Sequence, residues 1–241
     1  MKELHKSPKI VGSRAYNTLG TAAEGNAAAV FLYCAVSMGR GKTAVINENT
    51  PRLETERLIL RKFDENDLDD MLLLYGDETV NTYLPWFPMK TRMEVLNYLH
   101  NTIFPCYQKP MAYTYAVALK RDNCVIGYVH VNDLGGSNDI GYALRKEFWH
   151  KGITCEACAA VVERLKQAAV PFITATHDIN NPNSGKVMRK LGMSYRYSYI
   201  ERWQPKNILV TFRMYQLNLD GAERLYTGYQ QKYPFFVERI S

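Results

Sequence analysis

No long run of one charge sign occurs in this 241-residue chain. Its 30 Lys and Arg residues are scattered and do not interleave with aromatics, so the net charge of +6 is not read as a nucleic-acid surface. No apolar stretch approaches the roughly 20 residues of a membrane span. The run from Ala27 to Met38 is too short for one. It also starts too far along the chain, with no small-residue cleavage site after it, to be a signal peptide. Thr21 and Glu24 stand at capping-box spacing before it, which predicts a buried or partner-packed helix. Gly39-Arg40-Gly41-Lys42-Thr43 lacks the earlier glycine of a phosphate-binding loop, because Val36 stands there.

Metal-ligand patterns are absent too. The five His residues show no paired spacing. Of the five cysteines, only Cys155 and Cys158 form a C-x-x-C pair, and no second pair completes a zinc site. An odd, dispersed set without a secretory signal reads as reduced thiols in a cytoplasmic protein. The expectation is a chain with no metal, no membrane and no nucleic-acid partner.

What is present is a hydrophobic fraction of 46%, enough for a globular core, and a regular pattern beginning near residue 51. Residues 1–50 differ, being rich in Gly, Ala, Ser, Thr and Asn, and read as an appendage. Arg57 to Phe63 alternates as a strand, with Leu58 and Leu60 on one face. Asp64 caps a predicted helix through Tyr75, and a second follows Thr91. Strands are predicted at 113–119, 124–131, 139–144 and 172–176. Helices are predicted at 152–168, with Ala157, Val161, Leu165 and Ala168 as its apolar stripe, and at 183–191, ended by Gly192. Two long strands, 194–203 and 207–217, close the domain near residue 218. The aromatic tail 219–241 reads as a last helix, and with the apolar N-terminal run it leaves a homodimer open. The order implies an α+β fold with helices on both faces of the sheet.

Two segments carry chemistry. Trp149-His150-Lys151-Gly152-Ile153-Thr154-Cys155-Glu156-Ala157 runs from a turn into a helix. Helix N-termini hold unpaired N–H groups and the positive dipole end, which suits a phosphate. Gly152 permits close backbone approach. Lys151 adds charge and Thr154 a hydroxyl. Such residues also open helices that bind nothing. Asn181-Pro182-Asn183-Ser184-Gly185-Lys186-Val187-Met188-Arg189-Lys190-Leu191-Gly192-Met193 is the second. Alone, it is an ordinary N-cap, helix and glycine stop.

Together, about 30 residues apart and in this order, the two segments resemble the GNAT acetyltransferases, in the branch of the ribosomal-protein N-terminal acetyltransferases. Leu53-Glu54-Thr55-Glu56-Arg57-Leu58-Ile59-Leu60-Arg61 and Ile140-Gly141-Tyr142 agree as well. The resemblance covers residues 52 to 217. It implies the GNAT fold, with a mixed, mostly antiparallel sheet, and acetyl-CoA as co-substrate. By the same resemblance, Trp149, His150, Lys151, Gly152, Ile153 and Thr154 lie at the pyrophosphate. The backbone of Ala143 and Leu144 runs beside the pantetheine arm. Asn181 and Ser184 lie near the thiol. The implied reaction is direct attack of an amine on the thioester.

The chain departs from the family at two positions. The tyrosine that many relatives place seven residues after the Asn is Met188 here, and the glutamate that some carry five residues before it is Thr176. His177 is then the nearest candidate base, with Ser184 passing a proton. A histidine at a strand end also has an ordinary structural reading. His130, Asp133 and Tyr142 are further candidates on the substrate side. Tyr83, Trp86 and Phe87 stand where the family shapes its acceptor pocket, or simply pack. Cys155 falls on the first turn of the cofactor helix, where thiols are reactive. Acceptors left open are a protein N-terminus and a small-molecule amine. The missing acid and base also leave a non-catalytic acyl-CoA-binding module as the alternative.

Overall fold

The computed structural model describes residues 48–240. The run from Ala27 to Met38, Cys34 and the segment 39–43 lie outside the described residues. The chain forms strands β1 (Leu53–Glu54) and β2 (Leu58–Arg61), then helices α1 (Leu68–Tyr75), α2 (Glu78–Asn81), α3 (Arg92–Tyr98) and α4 (Phe104–Tyr107). Strands β3 (Tyr113–Leu119), β4 (Val125–Asn132) and β5 (Asp139–Leu144) follow, then α5 (Ile153–Gln167), β6 (Phe172–Asp178) and α6 (Pro182–Lys190). Strands β7 (Ser194–Trp203) and β8 (Ile208–Asn218), helix α7 (Gly228–Lys232) and strand β9 (Phe235–Phe236) complete it.

Local chemistry sets the helix starts. Asp64 accepts from the Asn66 N–H, and Asp67 closes the capping box in return. That box opens a 3₁₀ turn, Glu65–Asp67, so the α-helix proper begins only at Leu68. Asp67 is buried and is held by both terminal nitrogens of Arg61, at 2.8 and 2.7 Å. The two helices expected before β3 are more broken than that. Asp77 caps the short α2 through Thr79 and Val80. Thr91 caps α3, which passes through a π-helical segment, Leu99–Ile103, into α4.

The nine strands form one sheet in the order β1-β2-β3-β4-β5-β6-β8-β7-β9. Every neighbouring pair is antiparallel except β5 and β6. One face packs on α5 and α6 through Ile140, Leu144, Ala157, Val161, Leu165, Ile173, Ala175 and Met188. The opposite face carries two separate clusters. Met71, Val95, Leu99 and Tyr128 lie under α1 and α3, and Tyr197, Tyr199, Phe212 and Met214 meet Tyr229 of α7. The tail is thus only in small part helical. Its last strand pairs with β7, Phe235 opposite Tyr199 and Phe236 opposite Ser198.

Candidate active site

Strands β5 and β6 run parallel but pair only at Asp139 and Thr174, then part. A gap therefore opens between their carboxyl ends, the usual place for a ligand among parallel strands. The register decides which backbone groups face it. Leu144 pairs with Gly127, and the Arg145 N–H donates to the Ile126 carbonyl at 2.8 Å. In an antiparallel ladder this makes Ala143 and Tyr128 the pair that exchanges hydrogen bonds. The edge groups of Tyr142 and Leu144 point into the gap instead. Ala143, expected to line it, turns its backbone to β4. The Leu144 carbonyl is taken by the Trp149 indole N–H at 2.7 Å, so Trp149 braces the turn after β5.

That turn leads to the N-terminus of α5. His150 and Gly152 both adopt left-handed φ, 60° and 74°. No side chain caps this 15-residue helix. Its first N–H groups are the unpaired donors that a helix leaves at its start. His150, Lys151 and Gly152 are exposed, Thr154 is half-buried and Ile153 is anchored in the core. A side chain at Gly152 would meet nothing closer than an Arg57 terminal nitrogen at 3.8 Å. The space before the helix is open.

The same helix start is tied to the far edge of the sheet. Glu156 accepts from the Thr55 hydroxyl at 2.5 Å, the Arg57 N–H at 3.0 Å and the Arg57 Nε at 2.7 Å. Burial opposes ionisation of Glu156, but these donors hold its carboxyl below the usual range. Arg57 also donates to the Lys151 carbonyl at 3.0 Å.

Helix α6 begins across the gap. Asn181 is its N-cap, accepting from the Ser184 N–H at 3.4 Å. The Tyr142 hydroxyl reaches over from β5 to both the Ser184 carbonyl and the Ser184 Oγ, each at 2.9 Å. Tyr142 is not on the substrate side as expected. It shares the face of Ile140 and Leu144, beneath α5 and α6, because side chains alternate along a strand. Burial pushes its hydroxyl pKa well up.

His177 also faces α6, because β6 extends to Asp178 and carries it within the strand. Its Nδ1 lies 2.8 Å from the Asp178 carbonyl, which makes Nδ1 the protonated nitrogen. Its Nε2 is buried without a hydrogen-bond partner. That nitrogen lies against Gly185, where an added Cβ would sit 2.7 Å away. Burial lowers its pKa, so it stays neutral at pH 7. Tyr142, Asn181, Ser184 and His177 thus gather at the first turn of α6, while His150 to Thr154 gather at that of α5.

The opposite face of the gap has a different lining. Tyr75, Tyr128 and His130 stack in a row, with centroids 5.7 and 5.1 Å apart. Trp86 and Tyr98 flank Tyr75. The Trp86 N–H donates to Asn81 at 2.9 Å. Lys206, from the β7–β8 turn, reaches the Asn81 carbonyl at 2.9 Å and closes that side. His130 lies over Gly141, with Asn132 Nδ2 at 3.1 Å from its Nε2. Burial depresses its pKa to about 4. Asp133 belongs instead to the β4–β5 turn, accepting from the Ser137 N–H at 2.8 Å. Phe87 is exposed. Cys155 is half-buried and Cys158 fully buried, with its thiol pKa pushed up by burial. Among the described residues no cluster of His, Cys, Asp or Glu could hold a metal ion.

Known proteins share this fold. A family model described as an acetyltransferase (GNAT) domain matches residues 57–194. An uncharacterized N-acetyltransferase of Bacillus subtilis (strain 168), YnaD, is 26% identical over 157 residues, 64% of this chain and 88% of that protein. A second from the same organism, YoaA, is 23% identical over 146 residues, 59% of this chain and 82% of its own. The crystal structure of a GNAT acetyltransferase from Bacillus anthracis superposes with a TM-score of 0.61 at 23% identity, covering 70% of this chain and 99% of that one. RimL, a ribosomal L7/L12 alpha-N-protein acetyltransferase in complex with coenzyme A, does so at 0.62 and 19%, covering 71% and 100%. These matches carry no sign of a non-catalytic module. The gap, the uncapped helix start and the matched segment together establish that the chain belongs to the GNAT family of N-acetyltransferases.

Proposed function

We propose that the chain transfers the acetyl group of acetyl-CoA directly to an α-amine or another amine of low pKa. The observation that carries this is the β5–β6 gap opening onto the uncapped start of α5. The backbone from His150 to Thr154 would hold the pyrophosphate, helped by Lys151. The edge groups of Tyr142 and the N–H of Leu144 would run beside the pantetheine arm. Asn181 and Ser184 would stand near the thioester. RimL was solved with coenzyme A, and the structurally similar microcin C7 self-immunity acetyltransferase MccE with acetyl-CoA and AMP, which supports this seat.

The chemistry follows from the groups at hand. The amine nitrogen bonds to the thioester carbon, giving a tetrahedral zwitterion with an ammonium and an oxyanion. Its ammonium proton passes to Ser184 Oγ, the Ser184 hydroxyl proton passes to sulfur, and the C–S bond breaks. A strand N–H facing the gap stabilises the oxyanion. His177 Nε2, neutral and one residue from Ser184 across Gly185, is the reserve proton acceptor.

The acceptor class follows from proton affinity. His130, the imidazole on the acceptor face, is a weak base. About a tenth of an α-amine is neutral at pH 7, against under ~0.1% of a lysine amine. A site without a strong base therefore suits an α-amine, on a protein N-terminus or a small molecule. RimL, an alpha-N-protein acetyltransferase, supports the same reading. Four free cysteines among the described residues suit a cytoplasmic location. Exposed Phe235 and Phe236 of β9, with Val237 just after it, support a homodimer. Residues 1–50 are proposed to serve regulation or assembly rather than chemistry.

The test is thiol release from acetyl-CoA with peptides whose α-amine or lysine amine alone is free, and with small amines. Turnover on α-amines supports the proposal. Turnover confined to lysine side chains contradicts it.

A further inference from the structure

Ser184 is held at three atoms. Its N–H lies on Asn181, while its carbonyl and its Oγ both face the Tyr142 hydroxyl. The partner comes from β5, 42 residues earlier, across the gap. This is unusual for a serine in a helix, whose hydroxyl commonly turns back to a carbonyl of its own helix.

Counting protons shows what the contact does. The Ser184 carbonyl has only lone pairs and, inside α6, takes the N–H four residues on. The Tyr142 hydroxyl has one proton and two acceptors at equal distance. If it donates to the carbonyl, the Ser184 proton turns back onto the tyrosine oxygen, away from the gap. If it donates to Oγ, the Ser184 proton is left to point at whatever lies in the gap. Oγ then keeps one lone pair free. That second arrangement is the one a shuttle needs, with one lone pair to accept from an ammonium and one proton to give to sulfur.

We propose that Tyr142 is a positioning residue for acetyl transfer, holding the Ser184 hydroxyl with its proton toward the β5–β6 gap. The inference rests on the reading of Ser184 as the proton shuttle. Tyr142 is itself no acid here. Burial raises its pKa far enough that it keeps its proton at working pH, so it remains a donor throughout. The hydrogen bond also fastens the first turn of α6 to β5, where the sheet makes no bonds of its own.

The test uses the full chain, its Tyr142→Phe and Ser184→Ala variants and the double variant. Thiol release from acetyl-CoA is followed with two acceptor probes. One is a short peptide with a free N-terminal seryl amine, and the other is glycinamide, a small molecule with a free α-amine. Tyr142→Phe is expected to lower kcat about tenfold, the order of one lost hydrogen bond. KM for acetyl-CoA should stay within about twofold, because the phosphate seat is untouched. The double variant should be no slower than Ser184→Ala alone, since the tyrosine acts through that hydroxyl. Equal kcat for Tyr142→Phe and the intact chain overturns the inference while leaving acetyl transfer standing. So does a double variant whose losses simply multiply. Unchanged kcat in Ser184→Ala removes the shuttle and the inference with it. An intact chain that releases no thiol with either probe overturns the transfer reading itself.

Discussion

Arg57 and Glu156 lie 99 residues apart in the chain and meet at 2.7 Å, joining the turn just before β2 to the first turn of α5. Glu156 also takes the Thr55 hydroxyl and the Arg57 N–H, and Arg57 holds the Lys151 carbonyl. One ion pair thus fixes the loop whose backbone is proposed to bind pyrophosphate. Replacing Glu156 with Ala strands several donors at once. It should lower stability by about 1–3 kcal/mol and raise KM for acetyl-CoA more than it lowers kcat. Chemical denaturation and steady-state kinetics read both. The Glu156 carboxyl is held below its ordinary range, so its contribution is present above the unfolded value and is lost as pH falls through the folded one.

A methyl group at Gly141 would sit 2.2 Å from His130 Nε2. The histidine is stacked on Tyr128 and has little room to yield. Gly141→Ala should therefore disturb the acceptor face. Stability is expected to drop by about 1–3 kcal/mol, as for overpacked cores. KM for the amine should rise with acetyl-CoA affinity kept, as calorimetry and kinetics would report.

His130 has a folded pKa of about 4, lowered from 6.5 by burial. The unfolded chain then binds more protons than the folded one between these values, so stability falls as pH drops from 6.5 to 4. His177 acts in the same direction. His130→Gln should flatten part of that loss. Urea midpoints at neutral pH and near pH 4.5, compared for the two chains, give the difference. Parallel shifts would contradict the burial of a neutral imidazole.

Much of the fold was legible because capping and periodicity are local. Asp64, Thr91 and Gly192 mark element ends where expected, and Ala157, Val161 and Leu165 face the core. The turn, the glycine and the helix start proposed to seat the pyrophosphate were each legible in the sequence. Side-chain parity is written in the strand itself. Tyr142 stands two residues from both Ile140 and Leu144, which puts it under α6 rather than on the substrate side. Register was not available. Whether Ala143 or its neighbours face the gap depends on pairing with β4, which no local pattern specifies. The Arg57–Glu156 contact is likewise tertiary, although both residues stand in the segments that carry the family resemblance.

Gly152 offers the most direct measurement. Its φ of 74° disfavours any side chain, at roughly 1–2 kcal/mol, but a Cβ there meets only open space near Arg57. Gly152→Trp should therefore fold and yet fill the seat in front of α5. Calorimetric titration of the intact chain and the variant with acetyl-CoA tests the account. The prediction is saturable binding by the intact chain and its loss in a folded Gly152→Trp variant. Undiminished binding by the variant would contradict the site, and no binding by the intact chain would contradict the proposed use of acetyl-CoA.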